Sequence, residues 1–496
     1  MLPIVVGLRG ELEAFAAVRA RADLAFAQGT APSPGRERLF ERFPRMGAPD
    51  AFFAVREELA SAEQGTPRRR RLEILLEACA VLAESRAAAR LEDERGVLET
   101  SARVRDPDGG SLTWRTAAAR LAGEENRRRR EGLASGVAEA SGAWAGFALR
   151  RIETALETAR GLGASDYIQW KSGLAGLDVA ALEGEARAVL ADTESAYREL
   201  LGYFLRRFEL RPHPGGAAWH DVLNLFRARP LDDSYPRGWL DTALDRWAGE
   251  VGLDVREGLV RDGGDAEGKS PGPFAVALVA PGNATFGWRP SGGRLDYHAA
   301  LRALGPALAS SYLDADAPPE DRRFGDPGVP SAWANLFNAL PRDWRWVKRY
   351  VADPPRGDER RLPALAELGA LREACAQALF ELDLHRRGPS RDAAEAWRTN
   401  LTAAAAADFP EALWASRLAP GLAGVFALRG RALAASLRRA LLEAHDEDWW
   451  RNPRTGPWLV ARFRIGGRDS PETLAKACGV PLSLTAHARA LLNELR

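Results

Sequence analysis

Side chains able to hold a metal or act as a nucleophile with its base are few and scattered in this sequence. Six histidines stand at 213, 220, 298, 385, 445 and 487, and no two are four residues apart. A zinc-binding helix of the form H-E-x-x-H needs that spacing, because residues i and i+4 share a helix face and aim two imidazoles at one point. His213 and His220 are seven apart across Pro214-Gly215-Gly216, which does not put two ligands on one helix. His298 would be the imidazole of a relocated metal site with Asp296 or Glu320. A lone histidine is more often a satisfied structural residue. Three cysteines, at 79, 375 and 478, make neither a disulfide framework nor a Cys-rich metal site, and Cys79 and Cys375 read as buried small apolar residues. Lys269 follows Gly268 without the G-x-x-x-x-G-K-[ST] frame, so it reads as a loop charge and not as part of a phosphate loop. No G-x-S-x-G elbow occurs, and Ser172-Gly173 and Trp449-Trp450 read as packing or capping.

Composition narrows the classes further. The 496 residues carry 69 basic and 68 acidic side chains, a net charge of +1. That balance excludes a general nucleic-acid binder, which needs a net basic face against phosphates. Only Lys171, Lys269, Lys348 and Lys476 are lysines, so 65 of the basic residues are arginine, a bias read as high-GC coding and a bacterial origin. The basic runs Arg68–Arg71 and Arg127–Arg130 are flanked by acidic residues and read as solvated, salt-bridged helix faces. Hydrophobic content of 46% with 28% charge fits a soluble globular chain. No run of 18 apolar residues is present and Met1–Val6 is too short for a signal peptide, so the expectation is a cytoplasmic protein, with no membrane and no nucleic acid among its partners.

The elements that must position these residues are mostly helical. Apolar spacings of three and four predict helices over 9–28, 50–64, 69–92, 113–132, 135–163, 179–207, 363–387, 391–407, 421–446 and 471–495. Pro and Gly clusters predict breaks at 30–35, 106–110, 211–216, 261–273 and 318–330. One stretch differs. The apolar run 273–280, the turn Pro281-Gly282-Asn283 and the run Thr285–Arg289 predict a strand pair over 273–289. A helix follows over 295–313, with Tyr297, Leu301, Leu304, Leu308 and Tyr312 as its buried stripe and His298, Arg302 and Pro306 on a second face. Pro306 removes a backbone hydrogen bond and clashes with the carbonyl four residues back, predicting a kink or break near Arg302–Leu304.

This block carries Gly268-Lys269-Ser270-Pro271-Gly272-Pro273-Phe274, then Arg289-Pro290-Ser291-Gly292-Gly293, then Ala300-Leu301-Arg302-Ala303-Leu304-Gly305-Pro306-Ala307-Leu308. Pro319-Glu320-Asp321-Arg322-Arg323 and Gly325-Asp326-Pro327-Gly328-Val329-Pro330-Ser331 follow. In order and type these resemble the thimet-oligopeptidase and oligopeptidase F family of zinc metallopeptidases, with a likeness to angiotensin-converting-enzyme-type peptidases. The likeness covers about 160–460, including His220-Asp221-Val222-Leu223 and the stretch Glu447–Pro453. The frame matches and the chemistry does not. Against the family pattern, Arg302 stands for the first histidine ligand, Ala303 for the glutamate base, Pro306 for the second histidine and Ser331 for the third ligand. Active relatives also carry tyrosines in their C-terminal part, and here no tyrosine follows Tyr350.

The resemblance implies an all-α, mainly helical fold with a small β subdomain beside a deep central cleft, a zincin-type oligopeptidase architecture. It would be built as an N-terminal half, residues 1–210, and a C-terminal half, residues 211–496. It implies a catalytically inactive relative, without zinc or other cofactor, whose cleft binds a peptide or a protein partner, an active paralogue being one such partner. Arg302 would replace the metal's positive charge and pair with Asp326, which in the family orients a histidine ligand. The strand pair, with Phe286 and Trp288, would offer main-chain groups to a peptide. Two other readings stay open: an active hydrolase with relocated metal ligands, and a scaffold whose cleft its own side chains fill.

Overall fold

The computed structural model describes residues 2–210, 216–255 and 257–496. The predicted break at 211–216 and the boundary between the halves fall largely on residues outside these, as does His213. Helices dominate. The longest, Val179–Arg207, matches its predicted bounds because the signals are local. The Asp178 carboxylate accepts from the Ala181 N–H at 2.9 Å, and Ala186, Val189, Thr193, Tyr197, Leu201 and Phe204 form one buried stripe. Four predicted helices are instead broken, the 135–163 pattern at Ala143-Trp144, between Arg127–Gly142 and Ala145–Gly161. The 69–92 pattern is Pro67–Ala87 and Ala89–Ser101, meeting at Ala88. The 113–132 pattern is Trp114–Leu121 and Arg127–Gly142, the second started by the Asn126 side chain accepting from Arg129 N–H. The 471–495 pattern is Pro471–Ala477 and Leu484–Glu494, the latter capped by Ser483.

The predicted strand pair is present as Phe274–Ala277 against Ala284–Gly287, antiparallel. A third strand, Leu259–Asp262, lies parallel on the other side of Ala284–Gly287, leaving Phe274–Ala277 at an edge. Its last two residues fall in the predicted break at 261–273, because four residues before Gly263-Gly264 carry too little pattern. Lys269 is the tie behind this strand. Its ammonium donates to Asp262 O, Asp262 Oδ1 and Gly264 O at 2.7, 2.7 and 2.9 Å, so it is a buried loop residue.

Two apolar clusters fill the interior. One is built from residues between Val5 and Ala89 with Leu162, the other from residues between Val104 and Leu495. Cys79 and Cys375 are buried in them. The arginine runs are paired, as with Arg69–Glu73 at 3.2 Å, but Arg130 is buried and held by Asp221 at 2.5 Å. Other arginines also serve inside: Arg372 donates to the carbonyls of Ala404 and Leu190, at 2.7 and 2.8 Å, and so ties three helices together.

The helix Arg294–Ser311, the central helix, packs on the sheet and against the helix Gly328–Asn338, the facing helix. The central helix is not broken near Arg302–Leu304, and it runs unbroken from Arg294 to Ser311 through Pro306. A proline inside a helix costs roughly 3 kcal/mol. Leu301, Leu304 and Leu308 are fully buried on the same helix, each contributing about 1.5–3 kcal/mol, so packing outweighs the lost bond. Gly305 permits the close approach, since a Cβ there would lie 2.3 Å from the Trp333 carbonyl oxygen.

Candidate functional site

The central helix starts at Gly293, whose φ of +57° and 1.9 Å clearance from a Cβ to Asp232 Oδ1 admit only glycine. Asp296 accepts from the N–H groups of Ser291 and Gly292, at 2.7 and 2.9 Å, which fixes the preceding turn. This frame sets the direction of Arg302. The Arg302 guanidinium donates to Asn335 Oδ1 at 2.9 Å, and Asn335 donates from Nδ2 to Ser331 O at 2.7 Å. Burial, with Arg431 nearby, lowers Arg302 to about 10, so it is cationic at neutral pH. Ala303 is buried, Pro306 is half-buried, and Ser331 Oγ donates to Ala427 O at 3.4 Å and accepts from Asn335 Nδ2 at 3.3 Å.

The expected Arg302–Asp326 pair does not form. Asp326 lies before the first turn of the facing helix, about 10 Å of helix rise from Asn335. There its carboxylate is bound by Arg429 and by the Gly328 N–H at 2.6 Å. Burial pushes Asp326 up to about 6 against the pull of Arg429. Arg429 itself spans to Glu472 at 2.9 Å and to the Ala175 and Gly176 carbonyls at 3.2 Å. The relocated site around His298 is not assembled either. His298 Nδ1 bonds Asn338 Oδ1 at 3.0 Å, while Asp296 is committed to its turn and Glu320 to Arg9 at 2.5 Å. Burial and the nearby Arg294 push His298 down to about 3, so it is neutral. Phe286 and Trp288 are buried and stacked on each other with centroids 6.3 Å apart, so neither presents a ring to a ligand at the strand edge.

Sequence reasoning missed a buried salt-bridge group that lies beside Asn335. Glu367, on the helix Leu362–Arg387, lies 2.5 Å from Arg431, 3.7 Å from Arg342 and 3.9 Å from His487. Glu494 joins through Arg342 and Arg438, at 3.4 and 3.0 Å. His487 and Glu494 both come from the last helix, Leu484–Glu494. The remaining void among Asn335, Arg342, Glu367, Arg431 and His487 is about 20 Å³, room for a water and little more. Burial raises Glu367, but Arg431, His487 and Arg342 hold it well below the usual carboxylate range. No local motif signals this cluster, because its members come from helices far apart in the chain.

Zinc needs neutral imidazole, thiolate or carboxylate donors converging on one point. A guanidinium, a methyl group, a proline ring and a hydroxyl engaged with a carbonyl do not fit it. Among the described residues no group of three or more His, Cys, Asp or Glu side chains is arranged to hold a metal ion. No helix among them is long and apolar enough to cross a membrane.

A more open space lies beside the edge strand. A cavity of about 410 Å³ runs between Ala275–Ala277, the first helix at Phe15 and Arg19, and Arg323-Phe324. Arg323 already donates to the Ala277 carbonyl at 3.0 Å, so part of this edge is occupied from within.

No protein-family model matches the sequence, and no curated protein is similar to it. Solved structures are similar in fold. A structure assigned as an oligoendopeptidase F superposes with a TM-score of 0.68 at 13% identity, over 98% of this chain and 90% of that one. The Pyrococcus furiosus carboxypeptidase superposes at 0.60 with 14% identity, over 100% of this chain and 99% of that one. A carboxypeptidase from Deinococcus radiodurans R1 gives 0.60 and 14%, over 99% and 98%. At such identity the likeness shows the fold alone, which is the mainly helical one with small sheets found in these peptidases.

Proposed function

We propose that this chain is a degenerate relative of the zinc oligopeptidases, catalytically inactive and without zinc, that acts by binding a peptide or a protein partner in the cytoplasm. One observation carries the reading. Arg302, which the resemblance places at the first ligand position, is engaged with Asn335, and the salt-bridge group around Glu367 lies beside that contact, which supports a site without a metal. The neighbouring edge strand keeps a groove of about 410 Å³. Strand addition needs only main-chain donors and acceptors, so it can persist without catalytic residues. An active paralogue of the same fold is one such partner.

The Arg302–Asn335 contact also supports the scaffold reading, in which no peptide enters at all. Two measurements separate these readings from an active hydrolase. Protein purified without chelator is expected to contain no stoichiometric zinc by elemental analysis and to leave quenched peptides uncut. Stoichiometric zinc with chelator-sensitive turnover would overturn the proposal. Hydrogen exchange with a library of extended peptides is expected to protect residues 274–277, and unchanged exchange there would leave the scaffold reading in its place.

A further inference from the structure

A narrow pocket of about 40 Å³ lies between the helices Ala89–Ser101 and Ala145–Gly161 and the loop 418–421. Its walls are apolar, with Trp144, Phe147, Ile152 and Leu418. Two guanidiniums border it. Arg151 Nε and Nη1 and Arg95 Nε are shut off from solvent and have no hydrogen-bond partner among the described residues. Trp144, 1% exposed, has a buried indole N–H in the same condition. Leaving buried donors unmade costs about 1–3 kcal/mol each, more for charged groups, so their concentration here calls for an acceptor.

The protein's own charges do not supply it. Glu92 is the one acidic residue lining the pocket, and its two oxygens are divided between Arg151 at 3.3 Å and Arg36 at 3.5 Å. His385 is engaged through Nδ1 with the Glu381 carbonyl at 2.7 Å and is kept neutral by burial. Lys171 and Glu84, beside Gly421, neutralise each other at 3.0 Å. The balance at the pocket is therefore positive. Its size limits the occupant: at about 10–15 Å³ per water-sized centre, the space takes only a few heavy atoms.

We propose that this pocket binds a compact monocarboxylate with a short apolar body. The carboxylate accepts from Arg151 and Arg95, and the apolar part lies against Trp144, Phe147 and Leu418. Two sources share this chemistry, a free short-chain acid and the C-terminal residue of a peptide. The site uses neither Arg302 and Asn335 nor the salt-bridge group around Glu367, so it stands whether or not the proposed function does.

The test is calorimetric titration of the full chain at low salt with propanoate, N-acetylglycine and the amide of each, so that only a carboxylate and one or two carbons have to enter the pocket. The amides lose the negative charge and one of the two acceptor oxygens, so at least one acid is expected to bind saturably and at least about tenfold more tightly than its amide. The tighter of the two acids identifies the source. Arg151→Gln and Arg95→Gln, checked for folding by circular dichroism, are each expected to weaken that acid at least about tenfold. Equal affinity of acid and amide, no saturation by either acid up to about 10 mM, or unchanged affinity in both variants would overturn the proposal. The acid–amide comparison uses the unaltered protein, so it decides even if a variant fails to fold.

Discussion

Replacing Glu367 with glutamine keeps the side chain's shape and removes one negative charge from beneath Arg342 and Arg431. The Glu367 side chain is 11% exposed, as is that of Arg431, and Arg342 is 4% exposed, so solvent cannot screen the loss. Removing one partner of a buried ion pair costs about 3–5 kcal/mol, because the remaining charges stay buried and uncompensated. Unfolding entropy is roughly 2.1 cal/mol/K per residue, about 1 kcal/mol/K over this length, so the melting temperature should fall by about 3–5 °C. The effect also has a pH signature. Glu367 is held well below its ordinary value of 4.5, so its stabilisation is full above that value and is lost as pH falls through the folded pKa. Scanning calorimetry of both proteins from neutral pH downward should show a gap that is constant at pH 6–8 and shrinks once pH drops below about 4.5. A variant as stable as the parent at pH 7, or a gap that widens on acidification, would refute the claim that this carboxylate neutralises the buried arginines.

Three further outcomes follow from the same packing. Gly305→Ala puts a Cβ 2.3 Å from the Trp333 carbonyl, so denaturant titration should show a loss of at least about 2 kcal/mol. Pro306→Ala restores a helix donor at a half-buried position and should raise the melting temperature, with up to about 3 kcal/mol regained; a decrease would show that the proline is fitted to its site. Glu381 is pushed up to about 7 by burial, with Gln377 and the N–H groups of Gly424 and Val425 pulling the other way. Its folded pKa is above the unfolded one, so the native state loses stability as pH rises from about 4.5 to 7. Glu381→Gln should therefore gain on the parent by up to about 3 kcal/mol between pH 5 and 8, read from urea unfolding at each pH.

Much of the frame was legible because its signals are local. The strand pair, the central helix and Val179–Arg207 each carry their own apolar period, turn or cap within a few residues. The strand Leu259–Asp262 was not legible, since it is short and its register comes from Ala284–Gly287. The helix pairs were read as single helices because the apolar spacing carries across Ala88 and across 122–126, while the break is set by a side-chain cap or a backbone angle. The identity of the Arg302 partner failed for a different reason. Asp326 and Asn335 lie on one stretch of chain, and the rise of the facing helix decides which is in reach. Glu367, Arg431 and His487 meet only through the packing of three separate helices, a relation no spacing in the sequence encodes.

The salt-bridge group around Glu367 bears on whether a zinc motif could be written into the central helix. A designer who installed histidines at 302 and 306, with glutamates at 303 and 331, would complete a ligand set on paper. A divalent cation near Arg431 or Arg342, at about 6 Å and an effective dielectric of about 20, would meet a repulsion of roughly 5 kcal/mol from each guanidinium. Glu367 could answer only by abandoning both. A metal centre on this helix would therefore be opposed by these neighbours as much as by the residues at the four positions, and a successful graft would have to evict Arg342, Arg431 and the end of the last helix first.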